Sequence, residues 1–193
     1  MVSWDPCPGP GALRDVRSSH ASDQENAVGI AEAVASASAY LSAHPDEARY
    51  RDSFAHARLE TGLAVTLTGP GGESLRTDMP TGIGGAASAP SPGWILRAAA
   101  ASCVASLIAI RAAETGIELT SIDVEVDSES DDRGILGLDP AISAGALSMK
   151  VVVAIVGPAA SQKDVEALAR WAVEHCPVTD SIARSVPLEL EIK

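Results

Sequence analysis

Pro92-Gly93-Trp94-Ile95-Leu96-Arg97-Ala98-Ala99-Ala100-Ala101-Ser102-Cys103-Val104-Ala105-Ser106-Leu107-Ile108-Ala109-Ile110, running on to Thr115 and Gly116, is the stretch that decides the fold. Proline at its start lacks an N–H that the first helical turn would leave unpaired anyway, and glycine just past its end suits a left-handed cap. The spacing predicts one long helix over Pro92 to Thr115. Leu96, Ala100, Cys103, Leu107 and Ile110 recur at three- and four-residue steps, so Cys103 faces packed apolar surroundings. The plainest reading of such a cysteine is a small buried hydrophobe. The same run is apolar enough to raise a membrane span, but Arg97 and Arg111 leave only thirteen uncharged residues between them, too few to cross a bilayer.

Downstream of Gly116 the period changes to two. Ile122, Val124 and Val126 alternate with Asp123, Glu125 and Asp127, the pattern of a strand with one face in the core and one in water. Three carboxylates on one strand face do not converge on a cation without further ligands, so this face reads as solvated. A loop rich in Gly and Asp, Asp131 to Gly145, leads into Ala146 to Val156, whose apolar residues on both faces predict a central strand buried on both sides. Ser161 with Asp164 three residues on marks a helix start of the capping-box type. In that helix Val165, Leu168, Ala172 and Cys176 share a stripe, and Pro177 is expected to stop it. A final strand is expected over Ser185 to Ile192, with Pro187 favouring an edge.

Upstream, Leu63, Val65 and Leu67 alternate with small residues, and Gly69-Pro70-Gly71-Gly72 turns the chain into a second strand, Glu73 to Asp78, a β-hairpin. Thr81 to Pro92 has no periodicity and reads as a loop. It lacks the Gly-Lys-Ser/Thr ending of a phosphate loop and the spacing of a dinucleotide fold, which argues against nucleotide binding. Residues 1 to 22, with Trp4, Cys7 and a Pro/Gly cluster, read as irregular, followed by an Ala-rich helix from about Asp23 to Ala43 and a short one from Pro45 to about Arg51. The composition divides near residue 50, giving an N-terminal extension over 1–52 and a domain over 53–193. Hairpin, helix, two strands, helix and strand make an α+β order, not a doubly wound parallel sheet.

The 193 residues, 46% hydrophobic, suit one core with a modest extension. A net charge of −12 with only 14 Lys and Arg argues against nucleic-acid binding, which needs clustered cations. Three cysteines without a basic, apolar leader do not describe a disulfide scaffold. The expectation is a cytoplasmic protein without membrane or nucleic-acid partners. Cys103 and Cys176, on two helices, remain the candidates for chemistry. If the fold brings them together they suggest thiol redox, and if not they are core residues. A zinc site of Cys103, Cys176 and His175 is disfavoured because adjacent helical residues point about 100° apart. His20, His44 and His56 form no motif with them, and Cys7 reads as incidental.

Pro90-Ser91-Pro92, the Ala-rich helix with Cys103 in its middle, Asp132-Arg133-Gly134-Ile135-Leu136-Gly137-Leu138-Asp139 before the long strand, and Cys176-Pro177-Val178 together resemble the OsmC/Ohr family over roughly Phe54 to Lys193. The resemblance implies an intertwined homodimer in which two long helices are wrapped by sheets from both chains. It implies a thiol peroxidase that reduces organic hydroperoxides with Cys103 as the attacking and Cys176 as the resolving thiol, reset by a dithiol reductant, with no cofactor and no metal. It also implies an activating arginine on the N-terminal sheet, for which Arg58 and Arg76 are the candidates. The sequence departs from the family's hydroperoxide-resistance branch at Gly93, where that branch carries a glutamate that holds the arginine. The alternative is a non-catalytic dimer of the same fold that binds a small apolar ligand and keeps both cysteines as core residues.

Overall fold

A computed structural model describes residues 19–192. Cys7 and the rest of the irregular tail fall outside the described residues. The described residues run through five helices and five strands, α1 (Ser19–Ala43), β1 (His56–Leu59), β2 (Val65–Thr68), β3 (Ser74–Thr77), α2 (Pro92–Thr115), β4 (Ser121–Glu129), α3 (Asp132–Ile135), β5 (Ser148–Val156), α4 (Gln162–His175) and α5 (Pro177–Ala183), with single 3-10 turns at Pro45–Glu47 and Thr81–Ile83. The α+β class read from the sequence is the observed one.

The long helix α2 forms where its punctuation places it. The Ser91 hydroxyl accepts the Trp94 N–H at 3.2 Å, and Gly116 adopts φ 67° while its N–H returns to the carbonyls of Ala112 and Ala113, a left-handed cap that a Cβ would disfavour. Its fully buried ridge is Ala100, Val104, Ile108 and Ala112, a strict four-residue step. Cys103 and Leu107 flank that ridge half-buried, and Leu96, expected on the inward stripe, is 44% exposed. By length and composition alone α2 would pass for a membrane span. It serves here as the helix against which β4, α4, α5 and α1 pack.

Strands β4 and β5 form an antiparallel pair in continuous register from Ser121↔Val156 to Glu129↔Ser148. Ile122 and Val124 of β4 and Val151, Val153 and Ile155 of β5 turn toward the core, where Val104, Ile108, Ala112, Leu168, Ala172 and Cys176 form the buried cluster. Asp123, Glu125 and Asp127 stand on the outer face, with Asp127 opposite Lys150 in the ladder. The expectation of a central strand buried on both faces is corrected. Among the described residues β5 has one ladder neighbour, and its outer residues Val152 and Val156 are exposed. The apolar outer face misled because a Val-rich strand reads alike whether or not a second layer covers it.

The capping box at Ser161 is present, with the Ser161 N–H donating to Asp164 at 2.9 Å and the Asp164 N–H to the Ser161 hydroxyl at 3.2 Å. Pro177 ends α4 but does not end helical structure: Cys176 closes α4 and caps α5, with Pro177 in its first turn. The strand expected over Ser185 to Ile192 is not formed. Those residues join no ladder among the described residues, with Leu188 97% and Leu190 86% exposed, because alternation alone gives a strand no edge to pair with. At the other end of the domain β1, β2 and β3 make a three-stranded antiparallel sheet, Leu59↔Val65 and Val65↔Thr77 marking its register. The sequence had read only the β2–β3 hairpin. Most residues of β1 and β3 are exposed.

Candidate thiol site between α2 and α4

Two elements carry the two sulfurs to one place. Cys103 sits midway along α2, and Cys176 sits at the junction of α4 and α5, where the backbone leaves the helical region at ψ 118°. Packing of α2 on α4 sets Cys103 against the buried cluster that contains Cys176, and each thiol shifts the titration of the other. Cys176 is wholly buried, whereas Cys103 is partly open to solvent.

Their electrostatics differ in cause and direction. Burial pushes the Cys103 thiol up to about 11; the hydrogen bond to Cys176 and the charge of that sulfur act the same way, and only the Val178 N–H opposes them. Burial also works against ionising Cys176, but it is outweighed by the influence of Cys103, Thr179 and Val178, the Thr179 N–H pointing at the sulfur, which together hold its thiol below the ordinary value. Donors stabilise a thiolate, and Cys176 collects more of them. Cys176 is therefore the more readily ionised of the pair.

The arginine candidates lie elsewhere in the single chain. Arg76 on β3 pairs with Glu60 at 3.2 Å, and Glu60 also accepts the Thr66 hydroxyl. Arg58 on β1 is exposed. Among the described residues no cation contributes to the state of the Cys103 thiol. Arg97, on α2 itself, donates to the Ser128 hydroxyl at 3.1 Å. Arg111 caps the face of Trp171 at 5.0 Å from the ring centroid, a cation–π contact that ties α2 to α4. His175 stacks on the same ring at 4.3 Å and meets the Trp171 carbonyl through Nδ1 at 2.8 Å. Its ring is thus turned back along α4, away from a role beside Cys176.

Two further residues that organise their surroundings, Asp78 before α2 and Thr179 beside Cys176, were not singled out from the sequence. Asp78, 2% exposed, closes the loop before α2. Its carboxylate accepts N–H groups of Met79 (2.8 Å), Ala86 (3.2 Å) and Ser88 (3.0 Å) and the Ser88 hydroxyl (2.8 Å), while its own N–H reaches the Pro90 carbonyl at 3.2 Å. The Ser88 bonds, first among these, hold its carboxyl below the usual carboxylate range. The loop folds so tightly that a Cβ at Gly85 would fall 1.9 Å from the Met79 carbonyl oxygen. An Asp ending a strand before a Gly-rich loop is the signal that could have found it. Thr179 is the second; it follows Cys176 and Pro177 at the spacing of a capped helix start, which a reading that stops the helix at Pro177 passes over. A cavity of about 310 Å³ lined by Phe54, Leu67, Pro70 and Leu75 lies on the hairpin, on other elements than both cysteines.

The family model described as OsmC-like protein matches residues 85–191. Among solved structures, an OsmC-like protein of Mycoplasma pneumoniae is similar at 14% identity and TM-score 0.60, covering 70% of this chain and 89% of that one. An OsmC-like protein of unknown function from Vibrio cholerae is similar at 13% identity and TM-score 0.57, covering 68% and 94%. An organic hydroperoxide resistance protein OsmC of Legionella pneumophila is similar at 22% identity and TM-score 0.53, covering 69% and 90%. At these identities the likeness is one of fold. No curated protein matches the sequence.

Proposed function

This chain belongs to the OsmC-like protein family, and from that premise we propose that it is a cytoplasmic thiol peroxidase that reduces organic hydroperoxides through Cys103 and Cys176. The observation that carries the reading is the meeting of the two thiols, each from its own helix, one buried and one reachable. Cys103, the reachable sulfur, attacks the distal oxygen of a hydroperoxide; the O–O bond breaks, the alcohol departs with a proton, and Cys103 becomes a sulfenic acid. Cys176, poised as thiolate, attacks the Cys103 sulfur; the S–S bond forms and hydroxide leaves as water. A dithiol returns two electrons and two protons and is itself oxidised to its disulfide. The apolar surroundings of Cys103 suit an organic hydroperoxide better than hydrogen peroxide.

The attack needs the Cys103 proton to leave. The exposed β1–β3 sheet carries Arg58 and Arg76, and in a homodimer of the family type a second copy lays this sheet over α2, bringing one guanidinium to Cys103. The domain proper spans 53–193 in this reading, with 1–52 as an extension. Steady-state consumption of cumene hydroperoxide with a dithiol tests it. The wild type turns over, Cys103→Ser does not, and Cys176→Ser stops after one peroxide; a wild type no faster than Cys103→Ser overturns it. The second reading, an apolar-ligand binder with structural thiols, is favoured by the upward displacement of the Cys103 thiol in the single chain, and that same failed turnover would leave it standing.

A further inference from the structure

The segment from Val173 to Thr179 carries hydrogen bonds that the peroxide step does not require. In an uninterrupted helix the Val173 carbonyl would accept the N–H of residue 177, but residue 177 is proline and has none. The Thr179 hydroxyl supplies the missing donor, 2.7 Å from the Val173 oxygen, and lies 3.1 Å from the Cys176 oxygen. With its side chain anchored there, the Thr179 N–H is aimed at the Cys176 sulfur, 3.5 Å away. The Asp180 N–H completes the turn on the Cys176 carbonyl at 2.9 Å. Among the described residues Cys103, which is also the sulfur open to solvent, has only the Val178 N–H to favour its thiolate.

A disulfide between two such sulfurs is polarised. An incoming thiolate must reach the sulfur that it attacks, and the bond breaks faster when the departing sulfur is the better stabilised thiolate. Access and leaving-group stability both select the same direction. We propose that Thr179 is a positioning residue that makes Cys176 the leaving thiolate of a Cys103–Cys176 disulfide, so that a thiol reductant attacks Cys103. The reductant thiolate bonds to the Cys103 sulfur, the S–S bond breaks, and its electron pair stays on Cys176. The second thiol of a dithiol then attacks the reductant sulfur of the mixed disulfide and expels Cys103; with the two protons of the dithiol shared between the cysteines, two thiols are regenerated and the reductant leaves as a disulfide.

The inference rests on the redox-pair reading but not on the peroxide step, because diamide can form the disulfide without a peroxide. The full chain is oxidised with diamide, treated with glutathione, quenched in acid and mapped by peptide mass spectrometry. Glutathione is expected on Cys103 with Cys176 free. Thr179→Val is expected to slow adduct formation about tenfold, and Thr179→Ser, which keeps the hydroxyl, to restore it; a merely structural role would not give that rescue together with an upward shift in the pH dependence of Cys176 alkylation in a Cys103→Ala background. Glutathione on Cys176, or a Thr179→Val rate equal to wild type, overturns the proposal. A disulfide formed by diamide but not by cumene hydroperoxide defeats the peroxidase reading alone, and a pair that neither oxidant links defeats both.

Discussion

The half of the molecule built from α2, α4, β4 and β5 and the half built from β1, β2 and β3 solve the burial problem differently. The first closes on itself: Val104, Ile108, Leu168, Ala172 and Cys176 have essentially no exposure, and both thiols lie at that seam. The second is a well-hydrogen-bonded sheet whose Leu59 and Leu75 remain exposed. The strands of both halves pair in regular register, so the contrast lies in side-chain burial. It teaches that the two thiols are brought together within one chain, whereas Arg58 and Arg76, the cations proposed to activate Cys103, belong to the half left open.

The largest effect that can sharpen this contrast is in the pH profile of hydroperoxide consumption. A thiol raised to about 11 is mostly protonated near neutrality, and below its pKa the thiolate fraction grows about tenfold per pH unit. In dilute protein the initial rate is therefore expected to climb steadily toward pH 11. At concentrations that favour the homodimer the inflection is expected to move down by more than a unit. An inflection that ignores concentration would break the division between the halves.

Next in size is core packing. Ile108→Ala removes a fully buried side chain from the closed half and is expected to cost about 2–5 kcal/mol in a urea melt. Leu188→Ala, in the exposed C-terminal segment, should stay within about 0.5 kcal/mol in dilute protein. Equal costs would contradict the observed burial.

Asp78 joins the open half to the closed one, and its effect depends on pH. Its carboxyl titrates lower folded than unfolded, so it contributes stability above the ordinary carboxylate pKa, and that contribution is lost as pH falls through the folded value. Asp78→Asn sets an amide N–H against at least one of the donors that close the loop. The melting temperature of the variant should lie below wild type at pH 7, with the gap narrowing toward pH 3. A constant gap would show that charge is not what holds the loop.

The smallest effect is expected at Gly93, one residue inside the proline that opens α2. A Cβ built there lies 3.8 Å from Arg97 Nη1 and 4.0 Å from Ser91 Oγ, both ordinary contacts, so Gly93→Glu adds helix propensity and a favourable charge in the first turn. Thermal melts should show a gain of about 1 kcal/mol. A loss would mean that the start of α2 is more crowded than its surroundings show.

Residues that obey local rules were legible in the sequence. Pro92 and Gly116 bracket α2, Ser161 and Asp164 start α4, and the Ile122–Val124–Val126 alternation is β4. Legibility failed where the outcome depends on what a segment packs against. Val186, Leu188, Leu190 and Ile192 alternate as a strand does, yet no edge among the described residues receives them. Pro177 both ends a helix and begins another, and the second role depends on Cys176 and Thr179 capping it. At the site, helical spacing turned Cys103 and Cys176 inward, but it could not say that Cys176 would be the better stabilised sulfur. That follows from N–H directions at a turn, which no periodicity encodes.

The central claim, that a hydroperoxide drives Cys103 and Cys176 into one bond, is tested most directly by mass spectrometry of the full chain after one equivalent of cumene hydroperoxide. The account predicts the loss of two hydrogens, mapped to a peptide pair joining Cys103 to Cys176, with no such link in Cys103→Ser. Both cysteines recovered as free thiols, with the hydroperoxide unconsumed, would contradict it.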